Sequence, residues 1–206
     1  MTAPEEQRKW WGWGREDFSA EPAAGLLDFL EQRLSFQTTR ELPVPDLDAL
    51  DLRPPELPEA LSADLSEAVG EENVRRDKRS RVFHAMGRGY RDLIRLRLGK
   101  IPAPPDAVVY PGDSEEAALV LAAAASHGAA VTPFGGGSSV VGGVELAAEL
   151  RPNICLDMSR MNRVLEINGD NLTVRAEAGV FGPDLEDALN RAGYTLGHFP
   201  QSFHFS

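Results

Sequence analysis

Apolar residues keep a helical period through the first part of the chain and a shorter, strand-like rhythm through the second. Leu26, Leu27, Leu30 and Leu34 share one helix face, as do Leu61, Leu65 and Ala68, which predicts helices at Leu26 to Leu34 and Ala60 to Val69. Pro43, Pro45, Pro54, Pro55 and Pro58 punctuate the sequence between them, so the connecting stretches are loops. A third helical segment, Tyr90 to Leu98, sets Leu93, Ile94 and Leu98 against a row of Arg88, Arg91 and Arg95.

Beyond Ile101 the texture changes. Pro102, Pro104 and Pro105 form a stiff connector, which predicts a helical and loop region over residues 1–100 and a separate domain over residues 101–206. Ala107 to Tyr110 is a short strand, and Pro111-Gly112-Asp113 turns into a helix capped by Ser114 and stopped by Gly128. Ala130 to Phe134 is the next strand, so strand, helix and strand predict a parallel arrangement with a right-handed crossover. Ile154 to Met158, Val164 to Asn168 and Leu172 to Glu177 are further strands, the last two joined by the turn Asn168-Gly169-Asp170-Asn171. A final helix spans Pro183 to Ala192, with proline in its first turn and Gly193 after its end.

Charge alters this picture in one place. The balance of 21 Lys and Arg against 32 Asp and Glu gives a net charge of -11, which disfavours a general nucleic-acid or anionic-membrane surface. Yet Glu41 to Glu72 holds ten acids and one base, whereas Arg75 to Lys100 holds ten bases and two acids. The expected use of that basic stretch is a solvated face paired with the acidic one, and a stripe facing a ligand phosphate is the alternative. The longest apolar run, Ala117 to Ala125, is far short of the ~20 residues of a bilayer span. With the opening MTAPEEQRKWWGWG lacking an apolar signal core and Cys155 lacking a partner, the expected location is cytoplasmic.

The strongest chemical signal is Pro133-Phe134-Gly135-Gly136-Gly137-Ser138-Ser139, directly after a predicted buried strand. Without Cβ atoms, successive N–H groups can converge on one anion, and the Ser138 and Ser139 hydroxyls add donors suited to a pyrophosphate. A flexible hairpin tip has the same composition. Two other phosphate motifs fail: Gly143 stands where the P-loop needs lysine, and Val140 stands where the dinucleotide fingerprint needs its third glycine.

PFGGGSSVVGG, LDMSRMNRVLEI, EAGVFGPDLEDAL and GYTLGHFPQS together resemble the FAD-binding domain of the vanillyl-alcohol oxidase and p-cresol methylhydroxylase (PCMH-type) flavoprotein superfamily. RKWWGWG, Arg81 to Gly87 and GYRDLIRLRLGKIPAPPDAVVYP are most similar to its ether-lipid-forming branch, so the resemblance covers nearly the whole chain. It implies an α+β fold with a first α/β lobe and the start of a second, preceded by the helical and loop region. It further implies FAD contacts from Pro133, Phe134, Gly135, Gly136, Gly137, Ser138 and Ser139 and from Gln201, Ser202, Phe203, His204, Phe205 and Ser206. Some relatives carry a flavin-linked histidine in the glycine-rich loop; Ser138 and Ser139 stand here, which implies non-covalent FAD.

The implied activity is the exchange of the acyl group of an acyl-dihydroxyacetone phosphate for a fatty alcohol, with no net redox change at the flavin. The alternative is an FAD-linked dehydrogenase or oxidase of D-2-hydroxy acids such as lactate or glycolate. The expected partners are thus FAD, a lipid-type phosphate or a 2-hydroxy acid, and further copies of the complete protein. The family's catalytic residues correspond to sequence beyond Ser206, so none is assigned here and negligible turnover is expected of this chain alone. His198 and His204 flank a proline at a spacing unsuited to metal ligation, and His84 and His127 read as surface or helix-end residues. Trp10, Trp11 and Trp13 are expected to dock on the remainder of a longer protein, Cys155 to be buried and inert, and Gly179 and Gly182 to bracket a turn.

Overall fold

Strand β4 (Asn153–Asp157) is buried along its whole length, because its neighbours pair on both edges and helices cover both faces. The computed structural model describes residues 8–17, 23–35 and 42–205. Around β4 the sheet runs β1 (Val74–Arg75), β2 (Ala107–Val109), β4 and β3 (Ala130–Phe134). Both β2 and β3 are parallel to β4, and β1 is antiparallel to β2. The predicted strand-helix-strand unit therefore forms with β4 inserted between its two strands. Helix α5 (Ser114–Ser126) makes the crossover.

Alternation along the strands divides the core. Val108, Phe134 and Cys155 face one cluster with Trp10, Phe83 and Met86, from the N-terminal segment and from helix α3 (Lys78–Phe83) with the residues after it. Ala107, Val109, Ile154 and Leu156 face the other, against Leu61 and Leu65 of α2 (Glu59–Val69) and Val120 and Ala124 of α5. Leu61 and Leu65 are fully buried, each stabilising the fold by ~1.5–3 kcal/mol. Asp106, also fully buried, ties the entry of β2 to that of β4 by accepting from the Asn153 and Glu56 amides at 2.9 and 3.0 Å and pairing with Arg151. Burial works against its carboxylate, but Arg151 and those amides outweigh it and hold Asp106 below the ordinary carboxylate range.

A second, two-stranded sheet follows: β5 (Val164–Asn168) and β6 (Thr173–Ala176) pair antiparallel as predicted, and α6 (Gly182–Arg191) comes next. Apart from these, α1 (Leu26–Leu34) buries none of its residues, and α4 (Tyr90–Arg97) buries Asp92 and Leu96. No helix among the described residues is long and apolar enough to cross a membrane.

Several expectations change. The helix cap is Asp113 rather than Ser114: its carboxylate accepts from the Glu115 and Glu116 amides, both at 2.9 Å. Trp10 is buried in this chain's own core, so that ring needs no further segment to cover it, and Trp11 packs half-buried beside it. His84 ends α3 but is fully buried, its ring nitrogens 2.7 Å from the Ser80 carbonyl and 2.8 Å from Asp157. His127 does lie at a helix end, against Asp64.

Candidate functional site

The glycine-rich turn leaves the end of β3 with Phe134 as its base. Phe134 is 1% exposed and its ring lies under Gly137, where an added Cβ would come within 2.3 Å of the ring. Gly137 also has φ +68°, so glycine is required there twice over, by backbone conformation and by space. At Gly135 the reverse holds: an added Cβ would meet nothing within 4 Å, so the main chain faces open space. Neither the Gly136 nor the Gly137 amide donates to any acceptor among the described residues. Ser139 accepts from the Gly143 amide at 3.0 Å through its hydroxyl oxygen, which leaves the hydroxyl hydrogen as a donor.

The carbonyl side of the turn is held from behind. Arg8 Nη2 donates to the Gly136 carbonyl at 2.5 Å, and the Arg88 amide donates to the Ser139 carbonyl at 2.7 Å. The Gly87 position lies so close that a Cβ there would come within 2.1 Å of the Ser139 oxygen. Both guanidiniums also sit over the Phe83 ring, at 5.0 Å for Arg8 and 4.9 Å for Arg88.

Arg88 therefore does not belong to the predicted solvated stripe. It is 5% exposed, donates to the Met86 and Gly87 carbonyls, and leaves Nη2 buried without an acceptor. Burial, and then repulsion from Arg8, push it down to about 9 against the pull of Asp92. Arg95 pairs instead with Glu145 at 2.6 Å, an acid outside the segment expected to neutralise it.

The second predicted segment is tethered differently. Phe203–Phe205 forms a single 3-10 turn, and Phe203 presses on Gly182, where a Cβ would come within 2.6 Å of its carbonyl oxygen. Phe205 meets Trp13 edge-on at 6.2 Å and lies 4.5 Å from the Arg8 guanidinium. A cavity of about 870 Å³ opens between the N-terminal segment and this turn, lined by Arg8, Trp13, Phe181, Gln201, His204 and Phe205. Ser202 and Phe203 are half-buried outside that lining, and Ser206 lies outside the described residues.

Arg8 thus touches both predicted cofactor segments. Pro133 is exposed on β3, Phe134 is the base, and Gly135 to Ser139 make the turn itself. The available signal for the arginines was the excess of bases over residues 75–100; nothing in the local pattern marks Arg8. Free turn amides, open space at Gly135 and two cations behind them are features that suit a diphosphate. No group of three or more metal-ligating side chains occurs among the described residues.

Residues 105–206 match the FAD binding domain family. Over its whole length the chain is 33% identical to the alkyldihydroxyacetonephosphate synthase of Trypanosoma brucei brucei, and over 98% of it 30% identical to that of Dictyostelium discoideum. It spans about 37% of the length of either relative. A solved alkyldihydroxyacetonephosphate synthase superposes on the whole chain with a TM-score of 0.88 at 29% identity, the chain covering 42% of it.

Proposed function

This chain is an alkyldihydroxyacetonephosphate synthase-like member of the PCMH-type FAD-binding superfamily, and on that footing we propose that its glycine turn holds FAD without a covalent bond. The observation that carries the reading is the Gly136 and Gly137 amides, unpaired and backed by Arg8, above a Phe134 base that admits only glycine. The segment Pro133 to Ser139 would hold the diphosphate, through its main-chain amides over the Phe134 base, and the segment Gln201 to Ser206 would hold the flavin. Residues 101–206 carry the cofactor, and residues 1–100 brace it. Ser138 and Ser139 offer no nucleophile suited to a flavin bond, which supports dissociable cofactor.

When bound, FAD supplies an electrophilic ring for the exchange of an acyl group on a dihydroxyacetone phosphate for a fatty alcohol. The side chains of this chain orient the coenzyme and shield its diphosphate; proton transfer to the substrate is not assigned to any of them. A cytoplasmic setting and assembly of the complete protein with further copies belong to the same proposal.

Titration of the purified chain with FAD, followed by flavin fluorescence, tests the reading. Saturable binding that denaturation fully reverses is expected. In Gly137→Ala, the positive φ and the contact with Phe134 should cost about 1–3 kcal/mol of stability and displace the turn amides, with at least about tenfold weaker FAD binding. Flavin that stays with the denatured chain defeats the non-covalent mode, and absence of FAD binding defeats the cofactor reading. In a longer protein that carries this chain, formation of ether lipid supports the synthase activity, and formation of a 2-oxo acid supports the dehydrogenase instead.

A further inference from the structure

Strands β2, β3 and β4 run parallel and end at one edge of the sheet, and a single buried side chain reaches all three ends. The ring of His84, fully buried, lies 4.3 Å from that of Phe134, the last residue of β3, and 6.0 Å from that of Tyr110, which follows β2. Its Nε2 is 2.8 Å from the carboxylate of Asp157, the last residue of β4. In open sheets of parallel strands, ligands bind at this edge.

The two ring nitrogens of His84 meet two acceptors. Nδ1 stands 2.7 Å from the Ser80 carbonyl and Nε2 faces a carboxylate, so the two contacts take two hydrogens, one more than a neutral imidazole and an ionised carboxylate bring together. The other Asp157 oxygen accepts from the Ser159 amide at 2.7 Å. A buried pair of this kind stabilises a core little more than well-packed apolar side chains in its place. Its distinct contribution is a fixed position, because two directional bonds set the height and tilt of the ring.

Two surfaces of the glycine turn depend on that position. The floor is the Phe134 ring, which lies against His84 and leaves no room for a Cβ at Gly137. The back is the chain just after His84: Gly87 leaves no room for a Cβ against the Ser139 carbonyl, to which the Arg88 amide donates at 2.7 Å.

We propose that His84 and Asp157 are positioning residues for the FAD diphosphate, a hydrogen-bonded latch that acts through the Phe134 ring and the Gly87-Arg88 main chain to keep the glycine turn in its anion-accepting shape. This rests on reading the turn as the FAD site, and neither side chain itself touches the coenzyme.

The purified chain, its Asp157→Asn variant and the double variant His84→Leu with Asp157→Asn are titrated with FAD and with inorganic pyrophosphate, and their ligand-free melting temperatures are compared. In Asp157→Asn the introduced amide donates to Nε2, so a neutral imidazole keeps both of its contacts, and FAD and pyrophosphate should bind within about threefold of the parent. The double variant leaves no buried charge without a partner but holds Phe134 by packing alone. It should melt close to the parent and bind both ligands about tenfold or more weakly.

A double variant that binds FAD as the parent does overturns the latch and leaves the cofactor reading standing. A loss of affinity matched by a clear fall in ligand-free melting temperature makes the pair merely structural and overturns the proposal, as does an equal loss in Asp157→Asn. Should the double variant fail to fold, the parent decides: pyrophosphate must shift the slowly exchanging ring N–H resonances of His84 in NMR spectra, and a titration that leaves them in place overturns the latch. A parent that binds neither FAD nor pyrophosphate ends the cofactor reading and the latch together.

Discussion

The two segments proposed to hold the coenzyme are secured by different means. The glycine turn grows out of β3, a strand laddered to the fully buried β4 over five residue pairs, so its base is set by the core of the sheet. The 201–205 turn has no strand beneath it and rests on Gly182, Trp13 and the Arg8 guanidinium. One is an extension of the sheet; the other is held by side chains. The first owes its geometry to cooperative burial, and the second to a few contacts that can be removed singly.

The sharpest way to break that contrast is to empty the base of the turn. Phe134→Ala should destabilise the chain by about 3–5 kcal/mol in urea unfolding, because Phe134 is almost completely buried against Phe83 and His84. An effect on the scale of an exposed aromatic would mean that the turn, too, is supported only locally. Next in size is Asp106, which locks β2 and β4 at the end of the sheet away from the turn. Asp106→Asn should cost about 2–4 kcal/mol, because a buried carboxylate that accepts from the Glu56 and Asn153 amides and from Arg151 gives way to a neutral amide with one acceptor oxygen, leaving Arg151 only its pair with Glu56.

The pH dependence follows with its sign. Asp106 is depressed in the fold, so its stabilisation is complete above the ordinary carboxylate value of about 4 and is lost as pH falls through its lower folded value. Melting curves between about pH 5 and pH 2 should therefore show a steeper loss for the parent than for Asp106→Asn. The smallest effect belongs to the side-chain-held segment. Trp13→Ala should change global stability by no more than about 1 kcal/mol while amide exchange over residues 201–205 accelerates. Equal protection in parent and variant would show that the segment is anchored elsewhere.

What the sequence disclosed follows the same division. The strands, α5 and the triple glycine were legible, because strand burial, helix period and the steric demands at Gly137 are all written locally. The two-residue β1 was not, since a strand that short has no period to detect, and β4 could not be foreseen between β2 and β3 because topology is not local. Residue type alone points to Ser114 as the cap, where the neighbouring Asp113 supplies a carboxylate to two amides. His84 read as a surface or helix-end residue because Asp157, its partner, stands 73 positions away. Arg88 was grouped with Arg91 and Arg95 by helical spacing, although it precedes the helix and turns inward.

The contact between Arg8 and the Gly136 carbonyl spans 128 residues, which sets an order of events during synthesis. The arginine leaves the ribosome long before its acceptor exists, at about 5–20 residues per second in general. For that interval the Arg8 guanidinium has no Gly136 carbonyl to donate to, and an amino-terminal fusion that keeps the arginine from reaching it would leave the finished turn to close without that anchor.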